Sequence, residues 1–182
     1  MRVTVTETIH FGEIEVVTGD SATTATYLDD QPLRVTVRRP GPRTDTRIPI
    51  GTRDGAALAV DIDGRPVAIS AGRARLTSKS YEIRATFDDS RLVFRPKDMS
   101  SSELVSESAG SWNNRLGDIT RLNDGSVLVV WRQPFTVART TIAPPLPSRE
   151  QALVAVAIGS AIGTGGLSMT TILASAFNAM FD

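Results

Sequence analysis

Ser148-Arg149-Glu150-Gln151-Ala152-Leu153-Val154-Ala155-Val156-Ala157-Ile158-Gly159-Ser160-Ala161-Ile162 is the stretch whose reading decides the fold. Ser148 and Gln151 stand at capping-box spacing, where each side chain satisfies a backbone N–H of the other, so a helix begins there. Past Gln151 the residues are mostly Ala, Val, Leu and Ile on every side of the helical wheel, which leaves no face for water. Such a helix has to be buried in something. Gly163, Gly165 and Gly166 follow, each costing about 1 kcal/mol of helix stability relative to Ala, and they predict a kink, break or turn. A second helical stretch is expected over 167–180, and no charged residue appears from 151 to 181.

Ahead of this segment, Pro144-Pro145-Leu146-Pro147 is a stiff connector, and residues 1–143 have the pattern of short strands separated by turns. In Leu33-Arg34-Val35-Thr36-Val37-Arg38 apolar and polar residues alternate with period two, which places the valines on a core and the arginines outward. The same alternation runs through Tyr81, Ile83, Ala85 and Phe87. Asp63-Gly64 and Asn123-Asp124-Gly125 are hairpin turns by composition, because these residues tolerate positive φ. Val127-Leu128-Val129-Val130-Trp131 is apolar on both faces and is expected to be covered on both. Val35, Val37, Val60, Ile83, Phe94, Val129 and Trp131 are the predicted strand core. The fold class is therefore all-β, an antiparallel barrel or sandwich of about a dozen strands, with the hydrophobic C-terminal helix packed in its core. The organisation is a β-domain over 1–143, a proline connector over 144–147 and an apolar helical segment over 148–182.

Composition narrows the functional classes. Lys+Arg and Asp+Glu both total 20, so no global positive field exists to hold nucleic acid. With Cys at 0 there is neither a disulfide framework nor a thiolate metal site. The start, Met1-Arg2-Val3-Thr4-Val5-Thr6, alternates from the outset and lacks the apolar core of a secretory signal, so the expected location is cytoplasmic, with membrane association through the surface or the tail.

Local motifs for chemistry are sparse. His10 is the only histidine and reads as a strand-edge or loop residue. Asp61-Ile62-Asp63-Gly64 begins like a calcium loop, but its glycine comes two positions early and Gly72 stands where the bidentate glutamate belongs, so the segment reads as a hairpin. Gly163-Thr164-Gly165-Gly166 follows an apolar run, but the 16 residues after it leave no room for the returning strand and the rest of a dinucleotide-binding domain, so these glycines read as setting helix geometry or close packing. Neither a Gly-x-Ser-x-Gly elbow nor a Walker lysine motif occurs. The sequence thus offers no catalytic residue, metal ligand or cofactor, and an enzyme is not expected. Two surfaces stand out. Arg34, Arg38, Arg39, Arg43 and Arg47 form a local basic stretch suited to the phosphates of an anionic phospholipid, although a solvated strand face and loop need no such role. Ala155, Gly159 and Gly163 form a small-residue stripe that fits helix association in a membrane or a helix inside a narrow protein cavity.

Ser80-Tyr81-Glu82-Ile83-Arg84, Arg91-Leu92-Val93-Phe94-Arg95-Pro96 and the tail beginning Gln151-Ala152-Leu153-Val154-Ala155-Val156-Ala157 carry a likeness of layout. The chain resembles the tubby-like and LURP-one-related family, whose barrel encloses a hydrophobic helix. That resemblance implies a non-enzymatic binding or structural domain associated with membrane lipid. Two other readings follow from the apolar tail itself. One is a tail-anchored membrane protein with a cytoplasmic β-domain, since 151–181 exceeds the about 20 residues a span needs. The other is a subunit of an oligomeric or virus-like assembly that uses the tail as an interface to a protein partner.

Overall fold

The computed structural model describes residues 1–8, 10–72, 78–107, 114–137 and 139–166. Eleven strands follow one another: β1 (Arg2–Thr8), β2 (Gly12–Thr18), β3 (Ala22–Tyr27), β4 (Arg34–Arg38), β5 (Ala59–Ile62), β6 (Arg65–Ala71), β7 (Ile83–Phe87), β8 (Ser90–Pro96), β9 (Ser101–Ser106), β10 (Arg115–Arg121) and β11 (Val127–Trp131). Each pairs antiparallel with its neighbour in sequence, giving a meander that curls into a nearly closed barrel. A separate hairpin of β12 (Phe135–Val137) and β13 (Thr140–Ile142) precedes the single helix α1 (Arg149–Ile162).

The turns have the expected chemistry. Asp63 and Gly64 both take positive φ, 48° and 84°, which closes the two-residue hairpin between β5 and β6 with the twist the strands require. An even number of reversals brings β11 back to the direction of β1. The two edges therefore meet as parallel neighbours, joined by the Thr6 hydroxyl donating to the Val127 carbonyl at 3.2 Å and by an Arg2–Asp124 pair at 3.8 Å.

The helix fills the barrel. It touches β2, β3 and β4 on one side and β8, β10 and β11 on the other, and every residue from Gln151 to Ile162 is buried. Helix and inner sheet face make one hydrophobic cluster, in which all seven predicted core residues lie. A helix without a polar face is thus satisfied by walls that surround it.

Both helix ends are fastened. At the start, Ser148 Oγ accepts from the Gln151 N–H at 3.1 Å and Gln151 Oε1 accepts from the Ser148 N–H at 2.9 Å. The Tyr27 hydroxyl donates to the Arg149 carbonyl at 3.0 Å, while the Arg149 guanidinium stacks 4.2 Å from the Tyr27 ring and pairs with Asp29 at 2.7 Å. Burial pushes the Tyr27 phenol well above its ordinary pKa, against the pull of Arg149, so the hydroxyl keeps the proton it donates. At the far end the helix stops at Gly163, with φ at 95° and its N–H on the Gly159 carbonyl at 3.0 Å. The Ile50 N–H donates to the Ala161 carbonyl at 2.9 Å, the Arg121 N–H to Thr164 Oγ1 at 2.9 Å, and the Gly166 N–H to the Asp98 carbonyl at 2.8 Å. The glycine cluster therefore ends the helix rather than kinking it, and the second helical stretch expected over 167–180 lies outside the described residues.

Two expectations need correction. The strand β11 is not covered on both faces: Val127, Val129 and Trp131 face the helix, but Leu128 and Val130 are 48% and 55% exposed. The cause is the architecture, since a barrel wall has one inner face and β11 lies at its seam rather than between two layers. Tyr81 does not continue the register of β7. It ends a 3-10 turn, Ser78–Tyr81, closed by the Glu82 N–H on the Lys79 carbonyl at 3.2 Å, and its ring lies against Gly166.

Candidate functional site

In an antiparallel meander, alternate turns gather at opposite rims. The rim where α1 ends carries the long connection between β4 and β5, the end of β6, the 3-10 turn before β7, and the hairpins joining β8 to β9 and β10 to β11. A cleft of about 660 Å³ opens there. Its walls are Thr44, Asp45, Arg47, Ile48, Thr52, Arg53 and Asp54 from the long connection, Ala71 and Gly72 from the end of β6, and Tyr81.

The long connection is shaped by its own sequence. Arg39, only 6% exposed, donates from Nε to the Ile50 carbonyl at 2.7 Å, from Nη1 to the Gly41 carbonyl and from Nη2 to Asp20 at 3.0 Å, drawing the base of the loop together. Gly51 sits at φ 89° and its carbonyl accepts the N–H groups of Thr44 and Asp45 at 2.7 and 2.9 Å. A Cβ there would lie 2.8 Å from Arg43 Cγ and 3.0 Å from Arg39 Nε, so both conformation and space call for glycine. Gly72 has a comparable role on the other wall, where a Cβ would lie 2.3 Å from the Ser80 carbonyl oxygen. Ile50, fully buried, seats the loop on the barrel core.

Within the cleft the charges are not equivalent. Asp45 accepts from the Arg47 N–H at 2.9 Å and from its Nε and Nη2 at 3.1 and 3.0 Å, and the side-chain hydrogen bonds from Arg47 hold its carboxyl below the usual carboxylate range. Asp54 caps the 3-10 turn Gly55–Ala57 by accepting from the Ala56 N–H at 3.0 Å. Arg53 has no carboxylate partner among the described residues. Its Nη2 donates to the Tyr81 carbonyl, its guanidinium carbon lies 5.5 Å from the centre of the Tyr81 ring, and its Nε is buried without an acceptor. Burial draws its pKa below the ordinary arginine value, with Tyr81 opposing. Arg121, at the same rim, is likewise half-buried without a carboxylate partner, but it does not line the cleft.

The five arginines of the basic stretch do not form one open patch. Arg38 pairs with Asp61 at 2.6 Å, Arg39 and Arg43 with Asp20 at 3.0 Å each, and Arg47 with Asp45 at 3.0 Å. Arg34 is exposed at the opposite end of β4 from Arg38. Arg47 alone of the five lines the cleft. In the small-residue stripe, Ala155 and Gly159 are buried, and a Cβ on Gly159 would come 2.6 Å from Ile119 Cδ1, so the close approach is to the barrel wall. Gly163 differs: a Cβ there meets nothing within 4 Å, and its place rests on its positive φ. His10 is exposed in the turn between β1 and β2, its ring 6.1 Å from that of Phe11. Sequence reasoning missed Arg53 and Tyr81. The basic stretch ends at Arg47, and the alternation with Ile83 makes Tyr81 read as one more inward residue of a strand.

Among the described residues no helix is long and apolar enough to cross a membrane, and no group of three or more His, Asp or Glu side chains is gathered as metal ligands need. No family model matches the chain, and no curated protein or solved structure matches it. The class defined by the fold and cleft is a self-plugged antiparallel β-barrel with a polar cleft at the rim where its helix emerges.

Proposed function

We propose that the chain is a non-enzymatic binding domain that takes its ligand at the helix-end rim. The observation that carries this reading is the occupied interior: α1 fills the space in which an open barrel would hold a ligand, so recognition is left to the outside. The rim cleft has the volume of an ordinary small-molecule site, about 300 to 1,000 Å³, and mixes an aromatic wall with a few polar groups. The likeness of layout to tubby-like and LURP-one-related barrels supports a binding role and makes anionic phospholipid a partner to test. Membrane association on this reading is peripheral. The use of residues 151–162 as core favours it over a tail anchor, because the first half of the apolar segment is already buried in protein.

The test is a screen of neutral, cationic and anionic small molecules by amide chemical-shift mapping on the full chain. Shifts should cluster on residues 44–54, 71–72 and 81. Saturable shifts confined to other faces of the barrel, with none at the cleft, would remove the cleft from the account.

A further inference from the structure

We infer that Arg53 is the anchor of the rim cleft and that the ligand is a small organic oxyanion, its phosphate or carboxylate seated on the Arg53 guanidinium. This rests on the binding role proposed above and names the ligand class. A half-buried guanidinium has lost water without gaining a counter-charge, an arrangement that favours whatever anion can reach it. Of the carboxylates lining the same cleft, Asp45 is paired with Arg47 through three hydrogen bonds, and Asp54, which caps the 3-10 turn through the Ala56 N–H, forms no ion pair with Arg53. The charge of Arg53 is therefore left for a ligand. Its orientation is fixed in advance, since Nη2 is held by the Tyr81 carbonyl and the plane lies near the Tyr81 ring, while Nη1 donates to no described residue. Thr44 and Thr52, whose hydroxyls are hydrogen-bonded to each other at 3.0 Å, line the same cleft.

Size and lining argue for an organic ion. An inorganic anion fills a small part of about 660 Å³, and Tyr81, Ile48, Ala71 and Gly72 offer nonpolar surface to the remainder. The molecule that satisfies both parts carries an oxyanion on an apolar or aromatic group.

The experiment titrates the full chain with phenyl phosphate, inorganic phosphate and phenol at fixed ionic strength, following the Arg53 Nε–H signal and the cleft amides by NMR. Phenyl phosphate should saturate and bind at least about tenfold more tightly than either fragment, and R53Q should weaken it by about tenfold or more with its melting transition retained. Should R53Q not fold, R53K, which keeps the charge but not the planar fork, should weaken binding. Wild-type affinity should also fall as salt rises. Vesicles of phosphatidylcholine with and without phosphatidic acid then locate the source of the oxyanion. Displacement of phenyl phosphate by the acidic vesicles assigns it to a lipid headgroup, and no displacement assigns it to a soluble molecule. A folded R53Q that binds phenyl phosphate like wild type, or a phosphate group that adds nothing to phenol, overturns the inference. If phenol still shifts the cleft amides, the binding role stands without it. No saturable shift from any of the three overturns the oxyanion inference, and the binding role is then decided by the other arms of the small-molecule screen.

Discussion

Removing the helix should unfold the barrel. In a chain ending at Pro147, five large aliphatic side chains leave the core, Leu153, Val154, Val156, Ile158 and Ile162, each at 0 or 1% exposure. At about 1.5 to 3 kcal/mol apiece their burial is worth about 8 to 15 kcal/mol. The whole net stability of a domain is about 5 to 15 kcal/mol, so the loss is of the same size before the stranded inner faces of β2, β3, β4, β8, β10 and β11 are considered. The anchors at Tyr27, Asp29 and Ile50 lose their helix partners as well, and Arg65, which pairs with Asp88 and with Glu150 of the helix, keeps only Asp88. Circular dichroism and size-exclusion chromatography on residues 1–147 should show no cooperative melt and an expanded or aggregated species, and a peptide of residues 148–166 added in trans should restore both. In the full chain, Leu153→Ala should cost about 2 to 5 kcal/mol by urea titration. A truncated chain that is monomeric with a sharp thermal transition would refute the account of the helix as core.

Other outcomes follow from single contacts. Gly117→Val should cost several kcal/mol, because a Cβ there would lie 2.4 Å from the Val130 carbonyl oxygen, in backbone that cannot move aside; urea titration reads the loss. Ser148→Ala removes one half of the capping box and should lower stability by about 1 kcal/mol in the same assay. Asp29 is held below the usual carboxylate range first by its hydrogen bond from Arg149, so its contribution to stability is present above its unfolded value, near pH 4, and lost as pH falls through the folded one. Asp29→Asn should therefore flatten the acid limb of the stability profile below about pH 4, and an unchanged limb would show the pair to be idle.

The sequence by itself determined the parts of this protein governed by local chemistry and periodicity. Period-two alternation in Arg34–Arg38 put Val35 and Val37 inward, and Asp63-Gly64 closed its hairpin because those residues accept positive φ. The capping box located the start of α1, the glycines located its end, and an apolar circumference required that the helix be surrounded. Which walls surround it was a tertiary matter, since the same pattern suits lipid, a neighbouring subunit or the inside of a barrel. Barrel closure likewise decided that Leu128 and Val130 face outward, although their composition matches Val127 and Val129. The cleft was the least legible feature. Arg53 and Tyr81 lie 28 positions apart and meet only because the loop after β4 and the turn before β7 share a rim. Tertiary placement also decided which charges were left over: four arginines of the basic stretch found carboxylates, whereas Arg53, with nothing in its local sequence to mark it, was half-buried without one among the described residues. A charge's partner depends on what the fold brings within about 4 Å of it, and spacing along the chain carries little of that information.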